Sequence, residues 1–349
     1  MKIVAIIGAR PQFIKHFSFE KASEGVFDLV TVHTGQHYDE NMSEIFFTQL
    51  KMKRPDHLLS TGGGNHGQQT GKMMIEIEAI IEGEKPDGIV VYGDTNSTLA
   101  GALVAAKLHI PIFHIEAGLR SFNREMPEEV NRVLTDHLSS LLFVPSEIAQ
   151  ANLKQEGISK GVQIVGDIMK DIVNLVQKEN IIGNKSFQGD YYYVTLHRPY
   201  NTDDPERLTY VLESLNALDK KAIMSLHPRT KNLMSKYGLK METWNNIHFI
   251  EPQSYFDNLT YLFHSGGLIT DSGGMQKEAY WLKKKCVTIR KETEWTETIE
   301  KEGNILAFKD LSVMNQSVLQ LPVSWDEKLY GEGDTAKKIV SSIEEYLHS

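Results

Sequence analysis

The stretch that decides the fold runs from residue 112 to residue 132 and reads IFHIEAGLRSFNREMPEEVNR. Its first four residues, Ile112–Ile115, favour a buried strand, and Glu116 follows directly at the strand's end. A loop with two arginines leads to Pro127, where a helix is predicted to start with Glu128 in its first turn. Carboxylates and arginines packed this densely beside a strand end indicate a site that handles both protons and phosphate.

The same order of strand, glycine-containing turn and helix recurs along the chain. Short apolar runs occupy residues 3–7, 29–33, 88–92, 112–115 and 141–144, and again 191–196, 222–226, 247–250, 267–270 and 286–289. Continuous apolar runs indicate strands covered on both faces, as in a parallel sheet. We predict an α/β fold of two doubly wound, Rossmann-like domains, residues 1–167 and 168–334, facing each other across an interdomain cleft, with a final amphipathic helix at about 335–349.

Composition excludes several classes of function. The chain has 349 residues, 41% hydrophobic and 24% charged, and no run approaches the roughly 20 apolar residues of a membrane-spanning helix. Its N-terminus is predicted to be a strand and not a signal peptide. A net charge of −9 disfavours nucleic acid, and the single cysteine, Cys286, predicts a packing role in a reducing cytoplasm. The 13 histidines include no pattern typical of a metal site, so no metal is expected.

Five predicted strands end in side chains that can do chemistry. Ligands of open parallel sheets bind beyond the carboxyl ends of the strands. Any one of these side chains could be a helix cap or a turn residue, but five at the same edge, from both domains, predict a ligand site in the interdomain cleft. The segments that follow the strands begin with Gly8-Ala9-Arg10, Gly93-Asp94, Glu116, His197-Arg198 and Asp271-Ser272.

The segment DSGGMQKEA at 271–279 predicts an anion site at a helix start. Free backbone N–H groups and the helix dipole favour an anion there, and missing Cβ atoms at Gly273 and Gly274 let phosphate approach the backbone. Glu278 is placed to accept hydrogen bonds from ribose hydroxyls. The alternative is a plain helix cap at Asp271 or Ser272, which leaves the second glycine unexplained.

Several charged residues can be interpreted in two ways, as parts of a ligand site or as structural residues. Arg10 and Lys15 flank a helix start and suit phosphate, since arginine recognises planar phosphate oxygens, but they could be surface charges. His197 could be a core histidine, although Arg198 beside it argues for an anion.

Glu128 and Arg132 have the spacing of a helical salt bridge, which is the simpler interpretation. A carboxylate in the first turn of a helix is also held ionised by the dipole, as a general base requires.

The glycine-rich segment GGGNHG at 62–67 matches a dinucleotide-binding pattern but lacks its context. No convincing strand precedes it, because residues 56–61 are short and polar, and it lies outside the first strand–helix–strand unit. Gly71-Lys72-Met73 likewise lacks the spacing of a P-loop. We therefore expect no dinucleotide cofactor, and we interpret residues 62–72 as a mobile glycine loop that acts as a lid.

Together these segments resemble the non-hydrolysing UDP-N-acetylglucosamine 2-epimerase family over nearly the whole chain. The motifs are GARP at 8–11 with Lys15, GDTNS at 93–97, HIEAGLR at 114–120, PEEVNR at 127–132 and TDSGGMQKE at 270–278. The resemblance implies a GT-B-type fold whose final helix crosses back to the first domain. It also implies a homodimer and a role in the synthesis of surface polysaccharide precursors such as lipopolysaccharide O-antigen.

The resemblance also implies the site residues. The catalytic candidates are Asp94, Glu116, Glu128 and His197. The candidates for binding the UDP-sugar are Arg10, Lys15, Arg198, His227, Gln253, Tyr255, Ser272, Gly273, Gly274, Glu278 and Arg290.

The expected chemistry fits these residue types. The sugar C2 proton is not acidic, so an epimerase without a nicotinamide cofactor must eliminate UDP from C1 as it removes that proton, and then add UDP back. Such a reaction needs two proton-handling groups, one for each face of the sugar, and a firm hold on the diphosphate. Which carboxylate serves which face stays open, and a GT-B glycosyltransferase or a hydrolysing 2-epimerase is the alternative.

Departures from the family pattern bear on the substrate. GARPQFIK at 8–15 replaces GTRPEAIK, Glu294-Trp295 replaces Glu-Arg, and Tyr200 replaces a glutamate. These variants resemble the branch that acts on UDP-2,3-diacetamido-2,3-dideoxyglucuronate, and Arg229 is a candidate partner for its C6 carboxylate. Either this uronate or UDP-N-acetylglucosamine is therefore the expected substrate.

Overall fold

The computed structural model describes residues 1–36, 52–178, 182–184, 187–315 and 325–349, apart from the side chain of Arg10. The chain forms two compact units, which we describe separately. Unit 1 contains Met1–Asn174 and Lys328–Ser349, and unit 2 contains Leu175–Glu327. The domain limits predicted from the sequence, 167/168 and 334/335, stay a prediction.

Unit 1 is built around a seven-stranded parallel sheet in the order β3-β2-β1-β4-β5-β6-β7. Helices alternate with the strands along the chain. Its elements are β1 (Lys2–Ile7), α1 (Arg10–Ser23), β2 (Asp28–His33), β3 (His57–Leu58), α2 (His66–Glu84), β4 (Gly88–Tyr92), α3 (Asn96–Lys107), β5 (Ile112–Ile115), α4 (Pro127–Leu138), β6 (Leu141–Val144), α5 (Glu147–Gln155), β7 (Val162–Ile164) and α6 (Ile168–Lys178), which runs on into unit 2.

Unit 2 repeats the plan with a six-stranded parallel sheet in the order β10-β9-β8-β11-β12-β13. The chain then returns to unit 1, where its last helix packs against α1. The elements are β8 (Tyr191–Thr195), α7 (Pro199–Thr202), α8 (Pro205–Asn216), β9 (Lys221–Ser225), α9 (Pro228–Lys236), β10 (Ile247–Ile250), α10 (Tyr255–His264), β11 (Leu268–Thr270), α11 (Gly273–Trp281), β12 (Cys286–Thr288), α12 (Thr296–Glu300), β13 (Asn304–Leu306) and α13 (Thr335–His348).

The central strands are buried along their length because helices cover both faces of each sheet. All five residues of β4 are buried, as are the first four residues of β8, which include three consecutive tyrosines. Cys286 is completely buried, and burial raises the pKa of its thiol to about 12. A thiol in this state is inert, which agrees with the packing role predicted for it.

Each sheet has one point where the strand order reverses, and this point locates the ligand site of such folds. In unit 1 the reversal lies between the neighbouring strands β1 and β4, and in unit 2 between β8 and β11. The loops that follow β4, β8 and β11 contain Asp94, His197 and Asp271, and Arg10 begins the helix after the β1 loop, so the predicted residues lie at the expected edge of each sheet.

The interpretation of residues 62–72 as a mobile loop was wrong for most of the segment. A short strand, β3, precedes it, and α2 already begins at His66. The turn itself needs only Gly63 and Gly64, whose φ angles of 78° and 84° suit glycine. Downstream residues then bury one face of the helix at helical spacing, and this burial fixes the segment. The buried residues of that face are Gln69, Met73, Ile77 and Ile81.

Three short strands, β3, β7 and β13, were not predicted from the sequence. They span two or three residues each and include half-exposed positions, so no apolar run marks them. Of the helices in the part of the chain that the structure describes, none is long and apolar enough to cross a membrane.

Candidate active site

Glu116 lies at the end of β5 in an unusual backbone conformation. Its φ angle is +68°, and the N–H groups of Glu116 and Ala117 both donate to the Phe143 carbonyl at 3.1 Å. The side chain is largely buried, and its Oε2 lies 2.5 Å from Nζ of Lys15. The two residues form a largely buried ion pair at the edge of the unit 1 sheet where the parallel strands end.

Lys15, on α1, was predicted to contact UDP, and the structure pairs it with Glu116. Burial lowers the pKa of the Lys15 ammonium, but the charge and hydrogen bond of Glu116 outweigh that effect, and the pKa is raised. The ammonium is therefore a fixed positive charge among the carboxylates.

Asp94 follows β4 and Gly93, and its carboxylate is paired with Arg132 of α4. The Asn131 side chain donates to the Asp94 carbonyl oxygen at 2.9 Å. Burial raises the pKa of the Asp94 carboxyl, Arg132 lowers it, and Glu116 raises it, so that the pKa is raised overall. A carboxyl group whose pKa is raised beside a second carboxylate suits proton transfer.

The two glutamates in the first turn of α4 have different environments. Glu128, the predicted catalytic residue, is exposed. Glu129 is buried and accepts hydrogen bonds from the N–H groups of Ser121 and Phe122 at 2.9 Å. Arg132 pairs with Glu129 at 3.1 Å and with Asp94, so the simpler interpretation, a surface bridge to Glu128, was wrong.

Gln12 is a buried residue that the sequence analysis did not assign to the site. Its Oε1 accepts from the N–H groups of Gly8 and Ala9 at 2.8 and 3.0 Å, and its Nε2 donates to the Tyr92 carbonyl at 2.7 Å. The side chain thus joins the loop after β1 to the end of β4. The sequence signal for this role is the glutamine at position 12 where the family pattern has glutamate. A side-chain amide can accept and donate hydrogen bonds at the same time, whereas an ionised carboxylate only accepts them.

In unit 2, Asp271 organises the loop after β8. The carboxylate is fully buried and accepts from the backbone N–H groups of His197 at 3.1 Å and Arg198 at 2.9 Å. It also lies 3.2 Å from Nδ1 of His197 and accepts from Nδ2 of Asn201 at 3.2 Å. Asp271 therefore orients the predicted catalytic histidine and does not cap α11.

The start of α11 lacks a side-chain cap. Ser272 is the N-cap residue, yet its side chain makes no capping hydrogen bond, and its N–H donates to Oγ1 of Thr270 at 2.9 Å. A Cβ atom on Gly273 would lie 2.6 Å from Oε1 of Glu294, whereas one on Gly274 would meet no atom within 4 Å. The alternative of a plain side-chain cap was therefore wrong, whereas the anion site predicted at this helix start stays a prediction.

Arg290 adds a buried cation at the same place. Its guanidinium is 2.9 Å from Glu294, and Nη1 would lie 3.6 Å from a Cβ atom on Gly273. Burial lowers the pKa of Arg290, and Glu294 raises it by more, so its pKa is raised overall. Among the described residues, Nη1 of Arg290 has no hydrogen-bond partner, although it is buried. A buried N–H aimed beside a helix start is suited to an anionic ligand.

The remaining predicted binding residues lie in unit 2, except Arg10. The His227 ring caps α9 by accepting from the Arg229 N–H at 3.2 Å, and it lies 5.6 Å from the His197 ring. Gln253 is half-buried, Tyr255 begins α10, and Glu278 of α11 is 5% exposed. Arg10 begins α1, and its side chain lies outside the described residues.

The fold and these two strand-end sites define a GT-B-type nucleotide-sugar protein, as predicted. The family model for UDP-N-acetylglucosamine 2-epimerase matches residues 20–344. A UDP-2,3-diacetamido-2,3-dideoxy-D-glucuronate 2-epimerase of Pseudomonas aeruginosa is 47% identical over 99% of both chains. The UDP-N-acetylglucosamine 2-epimerase of Methanocaldococcus jannaschii is 43% identical over 97% of this chain and 98% of that one.

A solved structure gives the same result. The crystal structure of the M. jannaschii enzyme, in complex with UDP-GlcNAc and UDP, superposes with a TM-score of 0.89 at 42% identity and covers 98% of this chain and 99% of that chain. The chain belongs to the UDP-N-acetylglucosamine 2-epimerase family, a class of isomerases. The predicted fold class and family are thereby confirmed.

Proposed function

We propose that the protein inverts C2 of a UDP-2-acetamido sugar without net hydrolysis. The observation that carries the proposal is the pair of carboxylates, Asp94 and Glu116, that follow the neighbouring strands β4 and β5 of unit 1 and are held by Arg132 and Lys15. A glycosyltransferase of the same fold needs the UDP site of unit 2 and has no use for this pair. Membership of the 2-epimerase family supports the same conclusion.

The proposed reaction is an anti elimination followed by re-addition. A base removes the C2 proton as the C1–O bond to UDP breaks, which leaves a glycal and free UDP in the site. Protonation of C2 from the opposite face and re-addition of UDP to C1 give the epimer. Asp94, Glu116 and Glu128 are the candidates for these proton transfers. His197 is the fourth catalytic candidate.

Unit 2 is proposed to hold the UDP group through both steps. The side chain of Ser272, the N–H groups of Gly273 and Gly274 and the guanidinium of Arg290 are assigned to the diphosphate, where they would stabilise the charge that develops as it departs.

The other predicted binding residues complete this assignment. Glu278 is assigned to the ribose hydroxyls. Further contacts to the UDP-sugar are assigned to Arg10, Lys15, Arg198, His227, Gln253 and Tyr255.

The substrate is proposed to be UDP-2,3-diacetamido-2,3-dideoxyglucuronate, with UDP-N-acetylglucosamine as the second candidate. The motif variants at Gln12 and Trp295 and the P. aeruginosa relative support the first, and the M. jannaschii relative supports the second. Arg229 gives little support as the partner of a C6 carboxylate, because Asp203 already accepts from its Nη2 at 2.5 and 2.7 Å.

Deuterium exchange tests the proposal. The protein is incubated in deuterated water with each of the two UDP-sugars, and C2 deuterium and the epimer are followed by NMR. We expect deuterium at C2, a mixture of epimers and no accumulation of UDP. Accumulating UDP with free sugar would indicate a hydrolysing epimerase, and an absence of exchange with both sugars would contradict the proposal.

We also propose a cytoplasmic homodimer that supplies precursors for surface polysaccharides. The single buried cysteine agrees with a reducing compartment.

The homodimer is supported by two apolar side chains on the surface of α4. Val130 and Leu134, one helical turn apart, are 36% and 45% exposed and offer an apolar surface to a second copy. Sedimentation analysis of wild type and Leu134→Glu tests this, since a monomeric wild type would contradict it.

A further inference from the structure

We propose that His114 is a positioning residue that sets the distance between the carboxylates of Asp94 and Glu116. The inference rests on the proposed function, because it assigns a role in that reaction. His114 lies on β5, two residues before Glu116, and is completely buried. Its imidazole is therefore part of the support behind the site and contacts no substrate.

The ring bridges the two strands that carry the carboxylates. Nε2 of His114 lies 2.8 Å from the carbonyl oxygen of Gly93, the residue directly before Asp94. The N–H of Gly93 donates to the Ile115 carbonyl at 2.9 Å, so both polar groups of Gly93 are held by β5. Gly93 has a φ angle of +60°, and its position fixes where the Asp94 side chain starts.

Asp136 fixes the ring from the other side. Nδ1 of His114 lies 2.7 Å from Oδ1 of Asp136, while Oδ2 accepts from the Gly118 N–H at 3.2 Å and from Arg120 at 2.7 Å. Burial raises the pKa of the Asp136 carboxyl, but His114 and Arg120 lower it by more, so this group is ionised. The Asp136 carboxylate thus contacts both His114 and Gly118, which lie two residues before and two residues after Glu116.

These contacts set the direction of both hydrogen bonds of the ring. The Gly93 carbonyl and the Asp136 carboxylate are both acceptors only, so Nε2 donates to Gly93 and Nδ1 donates to Asp136. Asp136 keeps the ring in the orientation that allows this hydrogen bond. Loss of the Nε2–H bond frees the carbonyl oxygen of Gly93 and lets Asp94 move relative to Glu116, and a shift of about 1 Å at a reacting group can lower a rate about 100-fold.

Two substitutions at His114 separate positioning from simple filling of space. In His114→Gln the amide nitrogen takes the place of Nε2 and can still donate to Gly93. In His114→Asn the shorter amide reaches Asp136 but not Gly93. We expect His114→Asn to lower kcat about 100-fold and His114→Gln to retain most of it, with KM and UDP affinity unchanged in both, because unit 2 binds the UDP. The matched control is His137→Gln, since His137 is exposed and its Nδ1 lies 3.0 Å from the Val133 carbonyl of its own helix.

A second variant keeps the test decisive if His114→Asn does not fold. In Asp136→Asn the amide donates to Nδ1, which leaves the proton on Nε2 and preserves the bond to Gly93. We expect this variant to keep most of its kcat although it loses thermal stability. Equal losses of kcat in His114→Gln and His114→Asn, or a 100-fold loss in folded Asp136→Asn, would overturn the inference. If wild type itself fails to exchange C2, the proposed function fails instead.

Discussion

At the scale of single residues, the backbone of Glu116 adopts a conformation that only its surroundings can hold. A φ angle of +68° costs a non-glycine residue of order 1–3 kcal/mol. Two hydrogen bonds to the Phe143 carbonyl and the ion pair with Lys15 hold the residue there. Backbone strain of this kind concentrates where a side chain must point in one direction, which supports the catalytic assignment of Glu116.

Glu116→Gln and Glu128→Gln are expected to lower turnover by roughly 10²–10⁴-fold while UDP affinity is kept, because they remove proton transfer and leave the phosphate contacts. C2 exchange rates and calorimetric UDP binding measure the two effects. Glu125→Gln, an exposed neighbour in the same loop, serves as the control. Near-normal exchange in both variants would show that the assignment of these carboxylates is wrong.

Arg132→Met is expected to move the pH dependence of kcat/KM toward higher pH. Arg132 lowers the pKa of the Asp94 carboxyl, which burial has already raised, so its removal raises that pKa further. Arg132→Lys keeps the charge and should stay close to the wild-type profile, as should Arg124→Met at an exposed position. An unshifted profile in folded Arg132→Met would mean that Asp94 does not control the rate.

At the scale of elements, the first turns of three helices lie close to the predicted functional residues. α1, α4 and α11 each begin at the strand-end edge of their sheet, because each follows the loop after a parallel strand. In α11 the first turn is left without a side-chain cap and lies beside the buried guanidinium of Arg290. Each strand thus ends at the edge of the sheet where ligands of such folds bind, and the start of α11 supplies the dipole and N–H groups to which we assign the diphosphate.

Gly273→Ala and Gly274→Ala are expected to separate packing from binding at this helix. The new methyl group at Gly273 would collide with Glu294, so both stability and UDP affinity should fall. At Gly274 the space is open, so thermal stability should be kept while the methyl group meets the phosphate. We expect UDP to bind at least about tenfold more weakly to Gly274→Ala, which corresponds to about 1.4 kcal/mol, as measured by calorimetry. Unchanged affinity in this variant would place the phosphate elsewhere.

At the scale of the whole molecule, buried histidines tie the stability of unit 1 to pH. His16 lies between the Tyr92 hydroxyl at 2.8 Å and the Thr31 hydroxyl at 2.9 Å, and burial lowers its pKa to about 3. Burial lowers the pKa of His33 to about 4. Both rings are neutral when folded, whereas the unfolded chain takes up protons near pH 6.5.

Stability should therefore be complete above pH 6.5 and fall as the pH drops toward 3, because the unfolded state binds more protons in that window. His16 alone should account for roughly 2 kcal/mol between pH 7 and pH 5. Denaturant unfolding of His16→Gln should show a smaller loss over this range than wild type. His348→Gln, at the exposed end of α13, should keep the wild-type slope, and an equal slope in both variants would contradict this account.

Much of the fold could be read from local pattern. The runs at 88–92 and 191–196 predict buried strands, and the structure has β4 and β8 there because burial on both faces needs only an unbroken apolar run. The error at 62–72 has the opposite cause. Three glycines suggest a loop, but Met73 and Ile77 bury one face of α2, and tertiary packing outweighs the low helix propensity of Gly67 and Gly71.

Short contiguous motifs are enough to predict the longer strands of the parallel sheets, the edge at which the candidate residues lie, and the family. Which of these charges meet depends on the tertiary structure. It pairs Lys15 with Glu116, buries Glu129 while Glu128 stays exposed, and places His114 against Gly93. These contacts join strands and helices that are distant in the chain, and the protonation of buried groups depends on such neighbours, which no local pattern specifies.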